Sequence, residues 1–387
     1  MAKDSVDEVL STIQTAEVVI PCDNFEETLA FFTQKLGFSV ALISPADNPS
    51  IGVLDGHGIR IRIEQGANLP SHILRLNCDL SSVSLDDGEE VIAPNGTRIL
   101  IKEANPPLSI PPEDQSLVIS KLNQSASWIT GRAGMLYRDL IPNRQGGRFI
   151  ASHIKIPQGG LVPDYVHYHK VRFQMIFCYK GWVKVAYEDQ GEPILLKAGD
   201  CFLQPPEIRH RVLESSDGLE VIEVGCPAEH ETHGDSVMTL PTGKNTPERI
   251  YGGQLFHYYN CDNGVWNPWR HEGFQAQDVG INNATKGVAG VHVVRAVGGS
   301  KEAPVVVHEG EFMFVFVLNG RLSFSEKGKI QALEPGDSVV IPRDFPYALT
   351  NGSDDVSFLE VTLPANFTTV SQKISPEQLA IGSLDKR

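Results

Sequence analysis

The segment HYHKVRFQMIFCYKG, from His167 to Gly181, places two histidines two positions apart in a mostly apolar run. Residues i and i+2 of a β-strand point to the same face, so His167 and His169 would aim in one direction. A third histidine, His210, follows the turn PPEIRH. Three converging imidazoles suit one divalent Fe, Mn, Ni, Cu or Zn ion. We therefore predict a metal site at these histidines; the alternative is that they are satisfied polar residues of a partly buried strand.

An internal repeat contains the elements that must position these histidines. GWVKV at Gly181 corresponds to GRLSF at Gly320, and GDCFLQPPEIRH at Gly199 corresponds to GDSVVIPRDFPY at Gly336. The offsets are 320 − 181 = 139 and 336 − 199 = 137 residues. Short strand patterns separated by Gly, Pro, Asp and Asn turns surround both copies and are typical of an all-β sandwich or barrel. A repeat this long is no solenoid unit and indicates two tandem copies of one barrel domain.

These residues resemble the two sequence motifs of the cupin family, which here read Gly160, His167, His169, Gln174, Gly181 and then Gly199, Pro205, His210. The resemblance covers roughly residues 118–365. It implies a mainly β fold with two tandem double-stranded β-helix (jelly-roll) barrels and one divalent metal in the first barrel. The family's fourth ligand is normally a glutamate, and Gln174 stands in its place. The resemblance therefore points toward three-histidine cupins such as thiol dioxygenases and β-diketone-cleaving dioxygenases.

The second copy differs from the first at the ligand positions. The same offsets carry the three histidines and Gln174 onto Val306, His308, Tyr347 and Met313. One histidine does not make the same site, so we expect no metal to be held there by this constellation. The second barrel would then be a structural partner for the first, or would bind a small apolar ligand.

Residues 1–104 predict a small α+β module. QTAEVVIP reads as a strand, Asp23 or Asn24 can cap a helix that ends at Gly37, and three further strand patterns follow. The phrase FFTQKLGF resembles the vicinal-oxygen-chelate (glyoxalase) family over about residues 12–103, with a shortened second half. The resemblance places metal ligands at about Glu17, Glu64, His72 and Leu100, of which Leu100 cannot ligate. The alternative is a metal-free βαβββ-type module used for packing or for ligand binding.

Proline-rich and polar stretches set the expected boundaries. ANPPLSIPPED holds four prolines in eleven residues, which predicts a linker at 105–117. The first barrel would span 118–240, and the second would span 241–387 together with a C-terminal tail. EHETH (Glu229 to His233) reads as a solvated loop or a second metal site. VWNPWRHEGF (Val265 to Phe274) reads as a cation–π cluster at the barrel junction or as a lid over one cavity.

Composition narrows the classes of partner. Lys and Arg total 33 against 48 Asp and Glu, a net charge of −15, which argues against nucleic acid. No apolar run of about 18 residues is present, so no membrane span is expected. The first residues lack a secretory pattern and the six cysteines are scattered, so we expect a cytoplasmic protein with free thiols. A small-molecule substrate is the expected partner, and homo-oligomers are possible.

The function predicted from these features is that of a mononuclear metal-dependent oxygenase of the dioxygenase type. Fe(II) is the favoured metal, and the substrate would be a small organic acid or a 1,3-dicarbonyl-like molecule. Gln174 would serve catalysis by orienting bound water or substrate through hydrogen bonds. Two alternatives remain open: a metal-dependent isomerase or lyase that works through an enolate, and a non-catalytic bicupin that binds a small molecule.

Overall fold

The computed structural model describes residues 12–66, 73–82, 86–92, 98–125, 127–298, 303–326 and 328–371. The described chain is mainly β and forms a small N-terminal module followed by two barrels. The strands of the module are β1 (Ile13–Cys22), β2 (Ser39–Ser44), β3 (Ile51–Gly56), β4 (Ile59–Gln65), β5 (Ile73–Cys78), β6 (Glu90–Ile92) and β7 (Arg98–Glu103).

The module contains the predicted βαβββ unit. The helix Phe25–Ala30 follows β1 and continues as a π-helical turn, Phe31–Lys35. Asn24 caps it by accepting a hydrogen bond of 3.1 Å from the backbone N–H of Glu27. The strand order is β2-β3-β4-β1-β5-β7-β6, with β1 parallel to β4.

Alternation along β4 decides which face of the module is apolar. Ile61 and Ile63 are buried and pack with Phe25 of the helix. Arg60 and Arg62 alternate with them and therefore lie on the opposite face of the sheet. That opposite face is polar, and it is turned toward the first barrel.

The first barrel follows the short strand β8 (Val118–Ser120). Its strands are β9 (Ile129–Thr130), β10 (Leu136–Asp139), β11 (Ile150–Ile156), β12 (Gly160–Leu161), β13 (His167–His169), β14 (Phe173–Lys180), β15 (Trp182–Tyr187), β16 (Ile194–Lys197), β17 (Cys201–Leu203), β18 (His210–Ser215), β19 (Leu219–Cys226) and β20 (Thr232–Gly234). One sheet runs β17-β14-β19-β11-β10-β9, and the facing sheet contains β16-β15-β18-β13-β20.

The second barrel repeats this plan after the hairpin β21 (Ile250–Tyr251) and β22 (Gln254–Leu255). Its strands and the one leading into it are β23 (His257–Tyr259), β24 (Asn267–Pro268), β25 (Phe274–Asp278), β26 (Gly290–Ala296), β27 (Val306–His308), β28 (Phe312–Asn319), β29 (Leu322–Glu326), β30 (Lys329–Leu333), β31 (Ser338–Val340), β32 (Tyr347–Asn351), β33 (Ser357–Leu363) and β34 (Thr369–Ser371). Two facing sheets again enclose an apolar interior.

Strand register confirms the tandem barrels that the sequence repeat predicts. In the first barrel, His167 on β13 pairs with His210 on β18. In the second, Val306 on β27 pairs with Tyr347 on β32. These are the positions that the offsets of 139 and 137 residues equate, so the two copies superpose residue by residue at the ligand positions.

The barrels exchange edge strands, a feature that the repeat did not reveal. β8 precedes the first barrel in sequence but pairs with β31 of the second. β23 precedes the second barrel but pairs with β17 of the first. Each of these two strands therefore belongs to a sheet of the other barrel. The division of the chain at residues 118 and 240 stays a prediction.

A shared core joins the two barrels. Phe149 of the first barrel stacks on Phe312 of the second, with ring centroids 4.1 Å apart. Glu311 receives hydrogen bonds from Arg148 (2.8 Å) and Arg172 (2.6 Å) of the first barrel. Buried aromatic contact and paired charges fix the orientation of the barrels.

The remaining helical pieces are short: Leu122–Ser125, Arg144–Gly147, Ile281–Thr285 and the three-residue turns Leu80–Ser82, Arg132–Gly134 and Cys261–Asn263. Among the described residues, none of the helices has the length and apolar character needed to cross a membrane. The N-terminal module joins the first barrel through strand pairing, because β2 pairs with β20.

Candidate metal centre

Three histidines meet inside the first barrel. His167 and His169 project from one face of β13, and His210 begins the neighbouring strand β18. All three are buried, and their ligand nitrogens lie within 4.8 Å of one another. In the part of the chain that the structure describes, no other group of three possible ligands comes together in this way. The structure thus brings together the three residues predicted from their spacing.

Backbone carbonyls orient the imidazole rings. His167 Nδ1 lies 2.8 Å from the carbonyl oxygen of Tyr165, and His210 Nδ1 lies 3.0 Å from that of Ile208. An Nδ1–H donating to a carbonyl leaves Nε2 with a free lone pair for a metal. His167 Nε2 is buried and has no hydrogen-bond partner among the described residues. That orphaned nitrogen fits a ligand role better than the role of a satisfied strand residue.

β20 holds the third ring. His169 Nδ1 lies 3.3 Å from the Thr232 hydroxyl and 3.4 Å from the Glu231 carbonyl oxygen. The EHETH segment therefore contributes to this centre through Thr232 and a backbone carbonyl. His230 and His233 belong to no three-ligand group among the described residues; His230 Nδ1 lies 3.1 Å from the Pro227 carbonyl oxygen.

Burial keeps the three imidazoles neutral. It lowers the pKa of His210 to about 4, and it lowers the pKa of His169 well below the ordinary value. Burial and then the nearby Arg132 guanidinium do the same to the pKa of His167. At neutral pH all three rings are therefore in the unprotonated form that binds a metal.

The histidines open into a cavity of about 90 Å³. That is room for several water molecules or a small organic fragment. Aliphatic and aromatic side chains make up most of the wall, and the polar groups are few: the three histidines, Arg132, Gln174, Tyr187, Gln204 and Glu223. An apolar wall with a few placed polar groups is the usual composition of a small-molecule site.

Gln174 lies in this cavity wall, as the motif predicts for the fourth ligand position. Its side-chain amide donates a hydrogen bond of 2.5 Å to Glu223 on β19. The Gln174 Nε2 atom is thereby engaged, and the amide oxygen is left to interact with other groups. A catalytic role for Gln174 stays a prediction.

Glu223 was missed by the sequence analysis. It belongs to neither cupin motif, and its neighbours in β19 (LEVIEVGC) are mostly apolar. Glu223 pairs in register with Ile176 of β14, which also lines the cavity. A carboxylate in an apolar strand that faces a histidine cluster is the signal that would have identified it.

Arg132 was also missed. This buried arginine forms an ion pair with Asp164, and its Nε has no acceptor among the described residues. Asp164 Oδ2 in turn accepts a hydrogen bond of 2.9 Å from the Val212 backbone N–H. A guanidinium in this wall gives the cavity a fixed positive charge. An offset of 138 residues equates Arg132 with Arg270, and that correspondence was visible in the sequence.

In the second barrel, the positions that correspond to the ligands are used differently. His308 Nε2 lies 3.0 Å from the Ile341 carbonyl oxygen, and His308 Nδ1 accepts from the Gly310 N–H (3.1 Å). Val306 and Met313 are buried in an apolar core. Both ring nitrogens of His308 are thus bonded to backbone.

Arg270 from the VWNPWRHEGF segment enters the second barrel. Its guanidinium pairs with the buried Glu360 and lies 3.9 Å from the Met313 sulfur. It also stacks over Trp269, at 4.3 Å from the ring centroid. The expected cation–π contact is present, and it lies inside one barrel rather than at the barrel junction.

The candidate ligands of the N-terminal module do not assemble among the described residues. Glu64 pairs with Arg62, and the Glu17 carboxylate lies 3.8 Å from Arg75 Nε. His72 lies outside the described residues. Leu100 is on β7 and offers no ligand atom.

Comparison with known proteins supports the fold. Residues 152–225 and 292–362 each match the family model described as the cupin domain. The two matches fall on the two barrels, so the chain carries two cupin domains. No curated protein matches the sequence.

Solved structures share the fold. A salicylate 1,2-dioxygenase from Pseudaminobacter salicylatoxidans matches with a TM-score of 0.51 and 15% identity, over 68% of this chain and 90% of its own. A mutant of that enzyme in complex with gentisate matches with a TM-score of 0.50 and 16% identity, over 69% of this chain and 89% of its own. An oxalate decarboxylase from Lactobacillus farciminis in a formate complex matches with a TM-score of 0.48 and 14% identity, over 71% of this chain and 96% of its own. Nothing further is inferred from a TM-score below 0.5. At these identities the likeness shows the fold alone.

Proposed function

We propose that this protein is a mononuclear metal-dependent oxygenase of the dioxygenase type, with a small organic acid or a dicarbonyl-like molecule as its substrate. The observation that carries the proposal is the group of three neutral, buried imidazoles with ligand nitrogens within 4.8 Å of one another. His167, His169 and His210 would hold one divalent metal, and Fe(II) is the metal we favour. Three neutral ligands leave a divalent ion its full positive charge, which favours an anionic substrate.

A bound Fe(II) would supply Lewis acidity and electrons for reaction with dioxygen. The chain's own residues account for the choice of substrate. Arg132 brings a guanidinium to a mostly apolar wall; Asp164 offsets its charge, but its Nε–H has no acceptor among the described residues and is free to bind a substrate oxygen. A guanidinium N–H that is buried in this way binds a carboxylate or an enolate oxygen strongly.

Glu223 and Gln174 would act together on a bound substrate. Glu223 is a carboxylate within the cavity, so it can accept a proton from an acidic C–H or O–H group. The 2.5 Å hydrogen bond from Gln174 fixes one Glu223 oxygen and leaves the other available. We infer that Gln174 positions Glu223 and that Glu223 moves the proton.

Oxygen uptake tests this proposal directly. Protein loaded with Fe(II) under anaerobic conditions would be mixed with aerated buffer and one of three substrate sets: aromatic hydroxy acids, aliphatic 2-oxo acids, or 1,3-diketones. We expect oxygen consumption in proportion to substrate loss for one set, with both atoms of ¹⁸O₂ found in product. His167→Ala/His210→Ala should abolish it, and His308→Gln, at the second-barrel position that corresponds to His169, should not. Fe(II)-loaded protein that consumes no oxygen with any set would contradict the proposal.

A metal-dependent isomerase or lyase is the second candidate, and Glu223 is the observation that favours it. A carboxylate base next to a Lewis acid can abstract a proton and stabilise the resulting enolate without dioxygen. The same assays run anaerobically separate the two functions. Substrate conversion that is equally fast with and without oxygen would establish the isomerase or lyase and exclude the oxygenase.

We also propose that the N-terminal module is a shortened relative of the vicinal-oxygen-chelate family. Its βαβββ unit, with β1 parallel to β4, supports this proposal. The pairing of Glu64 with Arg62 argues against a metal at that carboxylate. The module would then be metal-free and would serve packing or ligand binding.

A further inference from the structure

A second cavity lies between the polar face of the N-terminal module and the edge of the first barrel. Its volume is about 310 Å³, at the lower end of the roughly 300–1,000 Å³ that is typical of small-molecule sites. The module supplies one wall from β1, β3, β4 and β5, including Glu17, Arg62 and Arg75. The barrel supplies the other wall from β13 and β20, including Tyr168 and His233.

Most of the charged side chains in this second cavity are already paired with one another. Arg60 holds Asp55 with two hydrogen bonds of 2.5 Å. Arg62 pairs with Glu64, which lies just outside the cavity. His233 lies 2.9 Å from Glu231 and stacks on Tyr168 with centroids 4.9 Å apart. These pairs form the frame of the cavity; within them, the buried His233 Nε2 forms no hydrogen bond with any described residue.

Glu103 also lines the cavity, and its carboxylate accepts hydrogen bonds from the backbone N–H groups of Leu80 and Asn105. Three other charged groups remain without a full set of partners. Glu17 is only 5% exposed, and its Oε2 accepts no hydrogen bond from any described residue. Arg75 bonds Asn77 through Nε (3.0 Å), and that Nε is 3.8 Å from Glu17 Oε2. Lys170, on the barrel side, has no carboxylate within 4.0 Å in the described part of the chain. A buried carboxylate oxygen without a donor costs free energy unless a ligand supplies one.

The charges around Arg75 also favour a bound ligand. Burial and then the neighbouring Arg62 guanidinium lower the pKa of Arg75. Two guanidinium groups held close together favour an anion between or beside them. The cavity thus requires an N–H donor at Glu17 and an acceptor at Arg75 and Lys170.

We propose that this second cavity binds a small α-amino acid or an equivalent zwitterion, with its ammonium group on Glu17 and its carboxylate on Arg75 or Lys170. Outside the charge pairs, two cations, Arg75 and Lys170, stand against two carboxylates, Glu17 and Glu103, and this balance suits a zwitterion. This site is separate from the metal centre. β13 and β20 lie between the two sites, because His167 and His169 face the barrel interior while Tyr168 faces the second cavity.

Isothermal titration calorimetry on the full-length, metal-loaded protein tests the proposal. The probes are L-aspartate, succinate (the same dicarboxylate without the ammonium group) and L-alanine (one carboxylate fewer). We expect L-aspartate to bind, and succinate to bind at least about tenfold more weakly, since a hydrogen bond between charged groups contributes roughly 1.5–3 kcal/mol. Succinate that binds as tightly as L-aspartate would overturn the assignment of a zwitterion.

Two variants locate the binding. Glu17→Gln keeps the size of the side chain and removes its charge, and Arg75→Gln removes the guanidinium but keeps a polar side chain; each should weaken L-aspartate binding at least about tenfold. Arg98→Gln is the matched control, because Arg98 is in an exposed pair with Glu90 on the same sheet and does not line the cavity. Thermal unfolding and metal content would verify that each variant is folded. No binding of either amino acid, or equal binding in wild type and in both variants, would refute the site.

Discussion

Glu223 and Glu360 occupy the same position in the two barrels but have different partners. Glu223 pairs in register with Ile176, and Glu360 pairs with Val315, the equivalent residue of the second copy. Glu223 accepts a hydrogen bond from Gln174, whereas Glu360 is held by the Arg270 guanidinium. One barrel has a carboxylate beside three histidines, and in the other an internal ion pair fills the same region.

The internal ion pair predicts a strong stability effect in the second barrel. Arg270→Met removes a partly exposed cation and leaves the fully buried Glu360 without its counter-charge. The loss of a single partner of this kind costs about 3–5 kcal/mol. We expect the denaturant concentration at the unfolding midpoint, monitored by tryptophan fluorescence, to fall. The metal content should not change. A loss of less than about 1 kcal/mol would show that solvent reaches Glu360.

Glu223 is expected to matter for turnover rather than for metal binding. Glu223→Gln keeps the size of the side chain but removes the proton acceptor. Turnover of the active substrate, aerobic or anaerobic, should therefore fall by roughly 10²–10⁴-fold. Metal content should stay at the wild-type value, since Glu223 is not in the three-ligand group. Glu214→Gln, on β18 and away from the cavity, is the control. Wild-type turnover in Glu223→Gln would remove this residue from the proposed mechanism.

The junction between the barrels predicts a second stability effect. Glu311→Ala leaves Arg148 and Arg172 without the carboxylate that both contact. We expect a loss of about 2–4 kcal/mol in unfolding free energy, because charged hydrogen bonds at a buried carboxylate are removed. Glu309→Ala, two residues away and exposed, should change stability by less than about 0.5 kcal/mol. Equal losses in the two variants would mean that the ion pairs at Glu311 do not stabilise the junction.

Glu220 predicts a dependence of stability on pH. Burial alone raises the pKa of Glu220, but the hydrogen bond from His153 and the nearby Lys180 ammonium group outweigh burial and lower the pKa from 4.5 to about 2. Because the folded-state pKa is depressed, this stabilisation is fully present above pH 4.5 and is lost as the pH falls toward 2.

The size of this contribution is on the order of 2 kcal/mol. Urea unfolding between pH 6 and pH 2.5 should show a smaller loss of stability with falling pH in Glu220→Gln than in wild type. Glu192→Gln, at an exposed loop position, should follow the wild-type curve. Parallel curves for Glu220→Gln and wild type would show that Glu220 titrates normally in the folded protein.

Much of the architecture could be predicted because local patterns determine it. Spacing of two residues in a strand fixed the common direction of His167 and His169, and the repeated turn sequences equated His210 with Tyr347. Ile and Arg alternate in the β4 sequence, so the pleat of the strand alone separates an apolar face from a polar one. These are properties of the pleat and of turn chemistry, so they can be read from a single sequence.

Long-range pairing accounts for what the sequence analysis missed. The exchange of β8 and β23 between barrels depends on edge-strand partners far away in sequence, and no local pattern specifies those partners. Arg132, in the turn Arg132–Gly134, and Glu223, on β19 beside β14, reach the metal cavity only through the tertiary fold. The polar face of β4 could be predicted, but the cavity that it forms with β20 could not.

Elemental analysis of protein purified without an affinity tag or chelator tests the central claim most directly. Wild type, His167→Ala/His210→Ala and His308→Gln would be compared after anaerobic loading with Fe(II) and removal of free metal. The metal centre described above predicts about one equivalent of metal in wild type and in His308→Gln, and none in the double variant. Absence of metal from all three proteins would contradict the claim and would leave a ligand-binding bicupin whose histidines only form hydrogen bonds.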